Sequence, residues 1–157
     1  MRVLGALLLN PPLMGGGRTL NHLRVAADLL ECDHIEIANL FSIATRDVVE
    51  MNQISKLVVG WEKARPRLSE VIGGADQLLA GWGVSGITGE SARHRNRQLA
   101  YIREVALAAG HDRYWTLNGE TRHPSRWHQY VSNRHGRVSG ASFRDKLAQI
   151  LTPVLID

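Results

Sequence analysis

The chain has 157 residues, 44% of them apolar and 22% charged, with a single cysteine, Cys32, which excludes a disordered chain, an internal disulfide and a four-cysteine metal site. No apolar run approaches the roughly 18 residues a membrane helix needs, and the opening run, broken at Asn10-Pro11-Pro12, is too short for a signal peptide; the expectation is one soluble, cytoplasmic domain over 1–157, monomeric and without membrane contact. The net charge of +4 is uneven, with eight Lys/Arg against ten Asp/Glu over 1–90 and eleven against four over 91–146, ten of those eleven being arginine, a distribution that suits either a polyanionic partner or a merely basic protein.

The apolar run 3–9 suits a central parallel strand, buried on both faces. Residues 12–17, rich in proline and glycine, read as a loop. Leu20, Leu23, Ala27 and Leu30 recur at helical spacing, predicting a helix over 19–31 with Thr19 as N-cap. A second strand is expected at 35–41, followed over 53–73 by helical pieces interrupted at Pro66. Residues 76–82 read as a third strand closed by Trp82-Gly83. A basic amphipathic helix over 91–109 stops at Gly110. The fourth strand is expected at 113–117, then a polar loop over 118–141 and a closing helix near 142–151.

Alternating strands and helices imply right-handed crossovers, hence a four-stranded parallel sheet with helices on both faces. In such sheets ligands lie outside the carboxyl ends of the strands. Here those ends run into Asn10-Pro11-Pro12, Asn39, Trp82-Gly83 and His123-Pro124-Ser125. Each has a plain reading: Asn10 a turn residue, Asn39 an Asx-turn, Phe41 a core filler, His123 a surface loop histidine. Each also has a chemical one. Asn10 presents an amide at the sheet's mouth. Asn39 can read a base edge with its donor and acceptor, and Phe41 can stack on that base. His123 can donate a hydrogen bond to an oxygen that gains charge. Gly15-Gly16-Gly17 lacks the P-loop lysine and reads as a flexible lip. His123, His128 and His135 follow no zinc spacing, so neither metal nor cofactor is expected.

In order along the chain, these pieces resemble the uracil-DNA glycosylase superfamily. Leu8-Leu9-Asn10-Pro11-Pro12 is similar to its first motif at the Asn-Pro core, and His123-Pro124-Ser125 to its His-Pro-Ser second motif. Ile37-Ala38-Asn39, the third strand ending in Trp82-Gly83, and the closing helix are weaker matches. The resemblance implies a monofunctional DNA glycosylase that flips a modified pyrimidine out of single- or double-stranded DNA and hydrolyses its N-glycosidic bond. In that scheme Asn10 positions water, His123 stabilises the leaving group and Asp47 assists electrostatically. Asn39 and Phe41 hold the base beside Pro12 and Leu13. Ser125, Arg126, Trp127 and Arg122, with Arg93, Arg95 and Arg97, hold the DNA. The first motif lacks the uracil branch's Asp and its bulky aromatic gate. That absence suggests a larger base, such as a hypermodified phage cytosine, and a role in antiphage defence. Two further readings stand beside it: a non-catalytic nucleic-acid-binding module on this fold, and an enzyme acting on free modified nucleotides.

Overall fold

The computed structural model describes residues 1–84, 86–131 and 142–157. Five strands form one sheet: β1 (Val3–Leu8), β2 (His34–Asn39), β3 (Gln77–Gly81), β4 (Arg113–Leu117) and β5 (Leu151–Leu155), in the order β2-β1-β3-β4-β5. β1 pairs in parallel with β2 and β3, β3 in parallel with β4, and β4 antiparallel with β5. The helices are α1 (Gly17–Leu29), α2 (Val48–Ile54), α3 (Val59–Gly74), α4 (Gly89–Ala108), α5 (Trp127–Tyr130) and α6 (Phe143–Ile150), with a 3-10 turn at Pro124–Arg126. No helix among the described residues is long and apolar enough to cross a membrane.

β1 sits inside the sheet because its residues are apolar on both sides. Leu4, Ala6 and Leu8 join one buried cluster with Leu23 and Ala26 of α1, Trp127 of α5 and Leu147 of α6. Leu7 joins the other with Leu68 and Ile72 of α3 and Ile102 of α4. Side chains alternate across a strand, so one strand feeds two cores. Gly5 is required on the α3 side: a Cβ there would lie 2.9 Å from the Ala75 Cβ.

The sheet departs from the expected four parallel strands. The sheet is mixed, because residues 151–155 turn back beside β4 as an antiparallel edge strand, with Thr116 donating its hydroxyl hydrogen to the Thr152 carbonyl at 2.8 Å. Pro153 lies opposite Trp115 in this strand. An edge position tolerates the missing N–H, and a proline in so short a run hides the strand from a periodicity reading.

Pro66 does not interrupt α3, which runs through it. The helix buries Trp61, Ala64, Leu68, Val71 and Ile72, and that packing offsets the roughly 3 kcal/mol an interior proline costs. α1 starts earlier than expected. Its N-cap is Gly16, in the left-handed region at φ 88°, not Thr19. β4 and the stop of α4 at Gly110, φ 90°, fall where the sequence puts them.

Gly60 of α3 lies under the Phe41 ring, where a Cβ would come within 2.3 Å of Cε1. Gly60→Ala is expected to lower unfolding free energy by about 1–3 kcal/mol through overpacking, despite alanine's better helix propensity. Urea denaturation measures this, and an unchanged or raised midpoint would contradict the packing described.

Candidate functional site

The strand order creates an opening at one end of the sheet. From β1 the chain crosses through α1 to β2, and from β2 through α2 and α3 back to β3 on the other side of β1. α1 lies on one face and α3 on the other. Consecutive connections therefore diverge at the carboxyl ends of β1 and β3, where a doubly wound sheet leaves a crevice. A cavity of about 1030 Å³ occupies that place.

Asn10, Pro12, Asn39, Asp47, Arg122, His123, Ser125 and Arg126 all line it. Asn10 follows β1, and the two prolines after it turn the chain out of the sheet. Its amide nitrogen donates to the Ile43 carbonyl at 3.2 Å and to Thr45 Oγ1 at 2.9 Å. Both donor hydrogens thus fasten the loop after β2, and the amide's remaining capacity is the acceptor oxygen. Asn39 ends β2 half-buried on the crevice wall. Asp47 caps α2 by accepting the Glu50 N–H at 2.9 Å.

His123 precedes the 3-10 turn in extended backbone, φ −65° and ψ 135°, as a residue before proline prefers. Its Nδ1 lies 2.9 Å from Ser125 Oγ and accepts the Ser125 N–H at 3.2 Å. An acceptor Nδ1 leaves the hydrogen of the neutral ring on Nε2. Burial, and then the nearby Arg126 guanidinium, lower the imidazole's pKa from 6.5, so the neutral donor form prevails at neutral pH.

Four arginines face the crevice, Arg18, Arg46, Arg122 and Arg126, against the single carboxylate of Asp47. Arg46 pairs with Glu50 at 2.5 Å. Arg122 pairs with Glu120 at 2.5 Å and lies over the Tyr130 ring, 3.9 Å from its centroid. The guanidinium groups of Arg18 and Arg126 have no partner among the described residues. Arg18 and Arg46 carry no sequence signal of their own; the first turn of α1 and the loop before α2 bring them to the rim.

Other expected site residues lie elsewhere. Phe41 is fully buried, edge-on to Trp61 with centroids 5.1 Å apart, in the core beneath the sheet. It cannot stack on a ligand there; the residue that permits this burial is Gly60, nineteen positions on, which local sequence does not connect to it. Trp127 is 1% exposed and donates its indole N–H to the Arg122 carbonyl at 3.0 Å, so it anchors the loop from inside. Leu13 is exposed outside the lining. Arg93, Arg95 and Arg97 of α4 are not among the lining residues: Arg93 pairs with Glu90 at 2.6 Å, Arg95 supports the wall from behind by donating to the carbonyl of the lining residue Gly83 at 2.9 Å, and Arg97 is exposed. His135, with the arginines at 134 and 137, lies outside the described residues. Among the described residues no group of three His, Cys, Asp or Glu side chains is arranged to hold a metal.

Residues 13–125 match the family described as Protein of unknown function (DUF1643). The chain belongs to this family. No curated protein and no solved structure matches it. The family membership corrects the resemblance to the uracil-DNA glycosylase superfamily, and with it the assignment of the chain as a glycosylase acting in base excision, base flipping or antiviral defence. The mixed sheet and the burial of Phe41 agree with that correction. The resemblance rested on short Asn-Pro and His-Pro-Ser strings, which many strand-end turns can produce because proline suits them for backbone reasons.

The environment of His123 has a measurable consequence. A histidine whose folded-state pKa lies below its unfolded value binds fewer protons when folded, so its contribution to stability falls as pH drops below about 6.5. Arg126→Ala is expected to raise the His123 pKa part of the way towards 6.5, because the burial component remains. Proton NMR titration of the ring measures this, and a pKa unmoved or lowered by the substitution would contradict the arrangement.

Proposed function

We propose that the crevice binds a nucleic-acid strand, with DNA, single- or double-stranded, as the partner of this DUF1643 chain. The observation carrying this reading is the charge on the wall: two of its four arginines, Arg46 and Arg122, are balanced by Glu50 and Glu120, while Arg18 and Arg126 are unpaired among the described residues and outnumber the lining carboxylate of Asp47. Guanidinium groups match phosphate oxygens in a planar fork, and unpaired ones have no internal partner to give up on binding. Beneath them the lining is apolar, with Leu8, Ile37, Met51, Trp82 and Ile87, which suits the flat face of a base. Asn39 and the Asn10 amide oxygen supply polar groups that orient its edge, and the Nε2–H of neutral His123 supplies a donor. We assign the protein to the cytoplasm, where the lone Cys32 thiol, buried and held above its ordinary pKa mainly by that burial, stays reduced.

Phosphate contacts release counterions, so binding should weaken as salt rises, and each lost contact should flatten the dependence. Arg18→Ala and Arg126→Ala are each expected to reduce the slope of log K against log salt by about 0.7 on single-stranded DNA, or about 0.9 on duplex. Arg113→Ala, at the amino end of β4 and paired with Asp112 at 2.8 Å, should leave it unchanged. Fluorescence anisotropy of labelled oligonucleotides between 50 and 200 mM salt reads this out. Absence of salt-dependent binding, or an equal effect of all three substitutions, would overturn the proposal. Tight binding of free mononucleotides with little salt dependence would replace the strand with a small ligand.

A further inference from the structure

We propose that His22 is a positioning residue for the crevice: through the Pro124 carbonyl it holds the turn bearing His123, Ser125 and Arg126 against α1. This rests on the crevice being the binding site. His22 stands four residues after Arg18, on the same face of α1 one turn further in. Its Nδ1 lies 2.5 Å from the Pro124 carbonyl oxygen. A carbonyl only accepts, so the ring donates. The oxygen also takes the Trp127 backbone N–H, and its two lone pairs serve both donors.

The ring cannot swing away from this contact. It stacks on Phe143 of α6 with centroids 4.5 Å apart and planes 18° apart, and lies parallel to Trp127 at 6.4 Å. His128 closes a further side at 6.1 Å. Pro124 is equally confined from below. It is buried, and its ring rests where Gly81 ends β3; a Cβ on Gly81 would lie 2.9 Å from the Pro124 Cδ and 3.0 Å from a Leu8 methyl. One residue is thus gripped at its ring by β3 and at its carbonyl by α1. His123 and Ser125 flank it directly, and they bond to each other across it. Where Pro124 sits therefore decides where the His123 ring and the Arg126 backbone lie. Arg18 and Thr19 of the same α1, with its N-cap Gly16, lie on the crevice wall, so this hydrogen bond, beside the packing of Trp127 on Leu23 and Ala26, ties two parts of that wall together.

The test compares His22→Phe, which keeps a ring for the stack and removes the donor, with His22→Gln, which returns an N–H. Three quantities are measured: the melting temperature, the His123 titration by NMR, and the Kd for a fluorescein-labelled single-stranded oligothymidylate at fixed salt. For His22→Phe the melting temperature is expected to fall by no more than about 5 °C. The His123 pKa should rise towards 6.5 as the loosened turn hydrates the ring, and Kd should rise about tenfold. His22→Gln should recover part of both. A folded His22→Phe with an unmoved His123 titration overturns the proposal, whether or not Kd changes. If wild type binds no oligonucleotide at any salt while the titration still moves, the strand-binding reading falls and the positioning role stands. Should His22→Phe fail to fold, Gly81→Ala displaces Pro124 from the other side and must give the same upward shift in His123; a folded Gly81→Ala without it overturns the proposal.

Discussion

Burial of β1 on both faces is the constraint from which the rest follows. A strand whose alternate residues Leu4, Ala6, Leu8 and Leu7 all lose their water must be covered above and below. Helices cover it only if the connections leave on opposite sides, which α1 and α3 do. β2 and β3 then flank β1, and the carboxyl ends of β1 and β3 are left without a helix across them. The crevice is the necessary gap in an otherwise covered sheet. Close approach is tuned by absent side chains: Gly5 lets Ala75 near the sheet, Gly60 admits the Phe41 ring, and Gly81 seats Pro124.

The chemistry of the gap comes from backbone that stops pairing there. Asn10 and His123 both stand beside prolines, and each uses part of its hydrogen-bonding capacity to hold a loop. What remains, an amide oxygen on Asn10 and an Nε2–H on His123, faces a wall whose charge is cationic. The histidine is kept neutral by burial and by Arg126, so this wall gains no further charge near neutral pH. Two of the arginines are stiffened in place, Arg46 by Glu50 and Arg122 by Glu120 and Tyr130. Arg18 and Arg126 are left with their guanidinium groups uncommitted among the described residues, and they are the ones with most to gain from an anion.

The positions of β1 to β4 and of α1, α3, α4 and α6 were legible because local patterning carries them: a continuous apolar run for β1, helical spacing in α1, a glycine stop after α4; α2, and α5 inside the expected loop over 118–141, were not. β5 was not legible, since five residues containing a proline have no periodicity to read and become a strand only beside β4. Continuity through Pro66 was hidden for a related reason. The local cost of the proline is visible in the sequence, whereas the packing of Trp61, Leu68 and Ile72 that offsets it is not.

The same division runs through the site. Asn10 and Asn39 are marked by where apolar runs stop and His123 by the polar loop after the fourth strand, and the parallel pairing of β1 to β4 brings these exits to one rim. The sequence alone determined these marks and the arginine excess of the second half. Which arginines serve the crevice was decided only by the tertiary structure: two of the four wall arginines, Arg18 and Arg46, come from the half with no net basic charge, while Arg93, Arg95 and Arg97 lie along α4 outside it. Phe41 and Trp127 were likewise turned inward by partners distant in the chain. An aromatic or a guanidinium has no intrinsic side to face. Its direction is set by the cavity, ring or carboxylate that long-range packing brings beside it, and local sequence does not contain that information.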